Sequence, residues 1–520
     1  MNIGDGLRRT ATQYPDKVGI IDRFAKFTTV TQYTWKEFNE QVNRFANALT
    51  SLGLKKGERM GIYSETRSQF AIAQHAFFKL GVVLIPLNTA YIGEELVHMI
   101  NDSEPMAMVV DADRKSEINK IRDKIPSVKF VIGIGPDHGF DYDFDTLRRE
   151  QPVDEPDVEV GMDDLSCLLY TSGTTGAPKG AMMTQGNWVF TSILLSAEWR
   201  IFARHRFLCP LAPFFSGGVM FATLAAFRGM TLIMCNWDTE KIMRVIQDDK
   251  VSYTMMAPAM TSMIVKHPKV KEHDFSSMER IITSAAPISP ALLREASKIF
   301  GDVYTFTYGT SETGLAGCQL YPEDVALEGP LSQRIASVGK AMMGMRVDLV
   351  DDDGNPVPIE KGQRGELVVT GPTVGNAYWK RPDAVDLKDG KWYSGDIGEY
   401  DEDGYIYIVD RKKDMILSGG ANIYPREIED VLYAHPAVMH CAVVGIPNEQ
   451  WGESVKGFVV LREGAAVTEK ELIEFCREHL AEYKKPRAIE FRDKLPMNPS
   501  GKILKRVLRD DAWKGQERRV

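Results

Sequence analysis

Apolar positions along the chain change their period repeatedly, and each change marks an element. Over residues 35–54, Phe38, Val42, Phe45, Ala46 and Leu49 recur at three- and four-residue steps, which predicts an amphipathic helix. Arg59–Tyr63 then reads as a strand, 70–80 as a helix, and 82–86 as a β-branched run stopped by a proline. Similar apolar runs follow at 106–110 and 129–134, and again at 231–235, 252–256, Arg280–Thr283 and 303–306. Helices alternating with short apolar strands predict an α/β architecture with largely parallel sheets.

Beyond about residue 330 the texture changes. Arg346–Val350, 365–370 and 405–409 are short strands separated by Asp-Gly turns such as Asp353-Gly354 and Asp403-Gly404, the pattern of an antiparallel sheet or small barrel. The last segment has helical patterns at 425–433 and 469–482, and strands at 441–444 and 456–461. The expected fold is therefore a large N-terminal domain of α/β subdomains plus a small β-barrel-like subdomain, residues 1–409. A small α+β C-terminal domain follows, residues 410–520. Its boundary is set by the charge run Asp410-Arg411-Lys412-Lys413, which directly follows a strand.

Composition narrows the function classes. The 520 residues are 44% hydrophobic and 26% charged, the mix of a folded globular chain rather than a disordered one. A net charge of −9 gives no sign of a nucleic-acid platform. The six cysteines (167, 209, 235, 318, 441 and 476) include no C-x-x-C pair and read as reduced, buried thiols of a cytoplasmic protein. No leader, lipid-anchor motif or membrane-length apolar run is expected: 71–87 is interrupted by Gln74, His75 and Lys79, and 217–227 stops at Arg228.

The strongest local signal is Leu168-Leu169-Tyr170-Thr171-Ser172-Gly173-Thr174-Thr175-Gly176-Ala177-Pro178-Lys179-Gly180. Glycines let backbone N–H groups turn toward a polyanion, hydroxyls donate to phosphate oxygens, and a lysine adds positive charge. The spacing is not that of a Walker loop. Taken alone, such a cluster is also what a solvated turn looks like.

The loop resembles, nearly residue for residue, the phosphate-binding loop of the acyl-adenylate-forming superfamily. That superfamily includes acyl-CoA synthetases, peptide-synthetase adenylation domains and firefly luciferase. Its other signatures are matched in order. Thr307-Tyr308-Gly309-Thr310-Ser311-Glu312 resembles the adenylate-binding segment, and the resemblance implies that Glu312 takes Mg²⁺ with Thr171 beside it. Ser284-Ala285-Ala286-Pro287 is similar to the small-residue stretch along the adenine, with alanines where glycine is commoner. Trp392-Tyr393-Ser394-Gly395-Asp396 resembles the ribose segment, with Asp396 as acceptor for the ribose hydroxyls. Asp410 falls on the family's hinge and Arg411 near its ribose. Gly419 and Gly420, with Trp451 further on, fall where acyl-CoA synthetases line the thiol's tunnel. Asn498-Pro499-Ser500-Gly501-Lys502 resembles the catalytic-lysine motif, which implies that Lys502 is the catalytic lysine.

The resemblance implies a two-step reaction with ATP, Mg²⁺ and CoA. A carboxylate attacks the α-phosphorus of ATP, pyrophosphate leaves, and an acyl-AMP forms. A thiol then attacks the acyl carbon and AMP leaves. Thr174, Lys179, Glu312 and Lys502 are the catalytic group; Thr171, Ser172, Gly173, Thr175, Gly176, Ala285, Ala286, Pro287, Thr307, Tyr308, Gly309, Thr310, Ser311, Asp396 and Arg411 complete the ATP site. The expected activity is an acid–CoA ligase acting on a small to medium apolar or aromatic acid. The alternative is a stand-alone enzyme loading a carrier protein, and a homodimer is compatible with either. Gln185, Trp188, Phe215, Ser216, Tyr308 and Leu315 are the candidate acyl wall. Gln185, and Phe215 or Ser216, stand where many relatives carry histidine. Drift and a reshaped carboxylate entrance both account for that.

Overall fold

The computed structural model describes residues 1–24, 32–171, 178–284, 286, 288–418, 421–448, 450–497 and 503–513, the side chain of Asn422 excepted. It comprises two compact units, Met1–Val347 with Val368–Tyr393, and Asp348–Leu367 with Ser394–Val520.

The first unit is built on two sheets. In one, the order is Tyr142–Asp143, Phe130–Ile134, Ala107–Asp111, Arg59–Tyr63, Val83–Pro86, Leu165–Thr171, Lys179–Thr184. Arg59–Tyr63 pairs in parallel with both Val83–Pro86 and Ala107–Asp111. Every residue of those two flanking strands is buried, which is why they read as unbroken apolar runs. The other sheet has the order Lys340–Ala341, Cys318–Leu320, Tyr304–Tyr308, Arg280–Thr283, Tyr253–Met255, Arg206–Cys209, Thr231–Met234, Val18–Asp22, Gln32–Thr34. Arg206–Cys209 is flanked in parallel by Thr231–Met234 on one side and Tyr253–Met255 on the other. Its carboxyl end, leading into Pro210–Phe215, therefore opens at a topological switch point, the place where α/β sheets form a crevice.

Helices confirm the alternation and correct its details. The helix Trp35–Ser51 buries Phe38, Val42, Phe45, Ala46 and Leu49 on one face, and its start is closed by a Thr34–Glu37 capping box. It stops short of the expected Leu54. Ser68–Leu80 is buried on every face and ends on Gly81 at φ +64°, a left-handed cap that glycine adopts without a Cβ clash. Ser216–Arg228 is likewise nearly all apolar and buried, so it carries no amphipathic signature.

The strand Lys391–Tyr400 runs from the first unit into the second, where from Asp396 onward it pairs antiparallel with Ile406–Arg411. A long ribbon, Val438–Asn448 against Gly452–Leu461, is joined by Ala488–Phe491 in parallel. The short strands expected at 441–444 and 456–461 are segments of this ribbon. Helices Pro425–Ala434 and Glu469–His479 pack on it around Ile428, Leu432, Val443, Val459, Leu472 and Cys476. The chain is thus mixed α/β with a small C-terminal α+β domain. The six cysteines are buried and unpaired. Among the described residues, no helix is long and apolar enough to cross a membrane.

Candidate active site

Strands Leu165–Thr171 and Lys179–Thr184 form an antiparallel hairpin in which Thr171 is the partner of Lys179. The loop singled out from sequence is the connection of that hairpin. Its residues Ser172, Gly173, Thr174, Thr175 and Gly176 lie outside the described residues, and its two ends are held by the pairing.

A distant segment completes this base. Met182 N–H donates to Ala377 O at 2.9 Å, Trp379 N–H donates to Gly180 O at 2.8 Å, and Ala181 faces Tyr378 across the bridge. The approach is tight: a Cβ on Gly375 would stand 2.9 Å from Met182 O. Tyr378, almost wholly buried, is thereby aimed at Glu312. Glu312 sits on a one-turn helix, Ser311–Thr313, directly after the strand Tyr304–Tyr308. Its Oε1 accepts from Thr171 Oγ1 at 3.0 Å and from the Tyr378 hydroxyl at 2.9 Å. Gly375 N–H holds its backbone carbonyl at 2.7 Å.

Lys179 stands over the Tyr378 ring, with Nζ 5.0 Å from the centroid, and pairs with Asp386 at 3.0 Å. Burial, together with the Glu312 and Asp386 carboxylates, pushes the Tyr378 hydroxyl far above the usual phenol range. It therefore stays protonated and serves as a fixed donor to Glu312. Neither Tyr378 nor Asp386 was expected from sequence. Tyr378 reads as an ordinary core aromatic, and Asp386 as a polar turn residue.

The buried carboxylate and adjoining hydroxyl are hard oxygen donors of the kind Mg²⁺ takes. Among the described residues there is no cluster of three or more His, Cys, Asp or Glu side chains able to cage a metal. A cation here would complete its shell with phosphate oxygens and water, as Mg²⁺ commonly does.

Thr307 and Tyr308 end one parallel strand, and the next strand over, Arg280–Thr283, leads to Ala286, which is exposed. Gly309, Thr310 and Ser311 follow Tyr308 at the same edge. Ala285 and Pro287 lie outside the described residues. Of the acyl-wall candidates, Leu315 approaches the start of the Ser216–Arg228 helix at Gly217. Leu315 takes φ +67°, and its Cδ1 lies 3.9 Å from where a Cβ on Gly217 would stand. Trp188 is wholly buried, and Phe215 is half exposed with its ring 4.6 Å from that of Phe214. Gln185 does not join them. Its amide accepts from Ile3 N–H at 3.2 Å and donates to Phe78 O at 3.0 Å, tying two helices together in the interior.

In the other unit, Asp396 and Arg411 are cross-strand partners, joined Oδ1 to Nε at 2.5 Å. Glu366, unforeseen from sequence, braces them: it accepts from Gly395 N–H at 3.1 Å and from Lys412 Nζ at 3.0 Å. Asp410 is buried. Its carboxylate accepts from Arg411 N–H and from Arg426 N–H, both at 2.7 Å, which caps the Pro425–Ala434 helix from outside its own sequence. Burial raises its pKa, with Lys505 opposing the rise. Trp451 is half exposed. Gly419, Gly420 and Lys502 lie outside the described residues.

The model of the AMP-binding enzyme family matches residues 7–379, and that of the AMP-binding enzyme C-terminal domain matches 427–502. The chain belongs to the AMP-binding enzyme family. The expected enzyme class, an acid–thiol ligase of the acyl-adenylate-forming superfamily, is borne out. The long-chain-fatty-acid–CoA ligase FadD13 of Mycobacterium tuberculosis is 34% identical over 98% of each chain. The feruloyl-CoA synthase of an Amycolatopsis species is 34% identical over 92% of this chain and 94% of its own. The ATP-bound structure of MatB from Rhodopseudomonas palustris superimposes with a TM-score of 0.85 at 29% identity, covering 98% of this chain and 99% of that one.

Proposed function

We propose that this enzyme uses ATP to convert a carboxylic acid to its acyl-AMP, and then passes the acyl group to CoA. The observation that carries the reading is the cluster of Thr171, Glu312, Tyr378 and Lys179 at the base of the loop. Mg²⁺ held by Glu312, with Thr171 beside it, would offset part of the triphosphate's negative charge. The chain's own residues do the rest. Ser172, Gly173, Thr174, Thr175, Gly176 and Lys179 cradle the phosphates, and Lys502 brings a positive charge to the α-phosphate and the acid as charge develops between them. Ala285, Ala286, Pro287 and the 307–311 segment bind the adenine. Asp396 and Arg411 bind the ribose.

Residues 410–520 act as a lid that turns about Asp410 between the half-reactions. The turn removes Lys502 and brings Gly419, Gly420 and Trp451 to the incoming thiol. Such a step also keeps water from the labile adenylate.

The acid is apolar or aromatic and of small to medium length. Trp188, Met255, Met256 and Leu315 are buried and uncharged, and Phe215 beside Phe214 extends an apolar surface. Six unpaired thiols support a cytoplasmic setting. The test is incubation with ATP, a panel of aliphatic, aryl, dicarboxylic and amino acids, and either CoA or a carrier protein, following pyrophosphate and AMP. Turnover with CoA and an apolar acid is expected. AMP release that requires carrier protein and ignores CoA would overturn the thiol assignment, and a preference for dicarboxylates or amino acids would overturn the acid.

A further inference from the structure

The lid carries a largely buried charge cluster that the proposed reaction does not use. Lys505 Nζ lies 2.8 and 2.9 Å from the two carboxylate oxygens of Glu429, and both side chains are largely buried. Glu429 is further held by Val443 N–H at 2.7 Å, on the central ribbon. Burial pulls the Lys505 ammonium down, but Glu429, Asp410 and Asp414 outweigh it and keep it firmly charged. Next to this pair, Arg509 binds Asp414 at 3.0 Å and Lys413 O at 3.2 Å.

The placement of Lys505 is unusual for a helix. It is the first residue of Lys505–Ala512, the end where the helix dipole disfavours a cation. Its charge therefore serves something other than that helix. Lys505 follows Lys502 by three residues. Residues 498–502 lie outside the described residues; on their flanks Met497 pairs with Ile503, and Leu504 N–H donates to Pro496 O at 2.8 Å. Leu495, Ile503 and Leu508 anchor the flanks in an apolar cluster with Ala442, Val444 and Phe458. Apolar contacts of this kind resist separation but tolerate sliding. The Lys505–Glu429 pair adds a directional lock to the Pro425–Ala434 helix, whose N-terminus is held by Asp410.

We infer that Lys505 and Glu429 are positioning residues: the pair fixes the start of Lys505–Ala512, three residues after Lys502, to the helix capped by Asp410, and so sets where the chain leaves the catalytic-lysine motif. The inference rests on the proposed role of Lys502. The experiment separates the two half-reactions, using the best acid from the panel above. Adenylation is followed by ATP–pyrophosphate exchange, and thioester formation by CoA consumption from chemically made acyl-AMP.

For K505M and E429Q, the exchange kcat is expected to fall at least tenfold with KM for ATP within threefold. Thioester formation stays within threefold of the parent, and K505R regains at least a third of the exchange. Exchange within twofold of the parent in both variants, or an equal fall of both half-reactions in both variants without rescue by K505R, overturns the inference. K502A is run alongside. If it leaves exchange intact, the Lys502 assignment fails; if it alone abolishes exchange, the positioning role of Lys505 fails.

Discussion

Two glutamates, one in each unit, are held in opposite ways. Glu312 meets two hydroxyls, Thr171 and Tyr378, and among the described residues has no cation at ion-pair distance. Glu429 meets an ammonium and a backbone N–H. Hydroxyl donors fix a carboxylate's direction while leaving its charge uncancelled, available to a cation that arrives with substrate. An ammonium at 2.8 Å cancels the charge and turns the carboxylate into a strut. The nature of the donors, more than burial, separates a working carboxylate from a structural one.

The largest effect that would break this contrast is at Glu312. E312Q keeps the size and an acceptor oxygen but removes the charge. It should lower the adenylation kcat on the order of 10²–10³-fold, the scale set by losing one preorganised charge-stabilising group. Its melting temperature should stay close to the parent's in scanning calorimetry. A large loss of stability with little loss of activity would place Glu312 with Glu429, among the struts.

Acid should next divide the two units. His75 is buried between Phe38 and Phe78, with Nδ1 2.8 Å from Ala71 O. Burial lowers its pKa from 6.5 to about 4. The folded chain refuses a proton that the unfolded chain takes, so this contribution is complete above pH 6.5 and is lost as pH falls toward 4. The total is roughly 3 kcal/mol. In the second unit Glu429 and Asp410 are shifted upward by burial. Their contribution has the opposite sign: it is present at low pH and lost as pH rises through their folded-state values. Hydrogen exchange between pH 7 and 5 should therefore show loosening around Ser68–Leu80 before the Pro425–Ala434 helix. H75Q should flatten the difference.

A smaller effect tests the hydroxyl donors. Y378F removes one of the two donors to Glu312 and should lower adenylation kcat/KM by roughly tenfold, the scale of one hydrogen bond to a charged group. A change within twofold would mean that Thr171 alone orients Glu312. The smallest effect is expected at Asp386, which is 39% exposed. D386A should change stability by less than about 1 kcal/mol in urea unfolding, as solvent-facing ion pairs do. It should act chiefly on KM for ATP, through Lys179.

The contrast between the glutamates also marks how far sequence reading reached. Thr171, Lys179 and Glu312 were legible because each lies in a short segment whose composition carries its chemistry. Tyr378 was not, since its role depends on pairing with Ala181, nearly two hundred positions earlier in the chain. Gln185 stood in a motif and invited a place in the acyl wall. The structure gives its amide to Ile3 and Phe78, contacts without any local signature. The nearly all-buried helix Ser216–Arg228 read only as an apolar run over 217–227 for a related reason: without a polar face there is no period to read. Alternating strands and helices were plain because parallel strands buried on both faces need unbroken apolar runs.

The pairing of Thr171 with Lys179 has an evolutionary consequence. It makes residues 172–178 a replaceable cassette of set length, clamped at both ends by backbone hydrogen bonds that do not depend on which side chains the cassette carries. Substitutions within it can retune contacts to a polyanion and leave Lys179 in place. A single deletion that slid the strand's register instead would turn Lys179 to the opposite face of the sheet. In descendants of this chain, the length of the segment should therefore be held as firmly as the side chains that meet the polyanion.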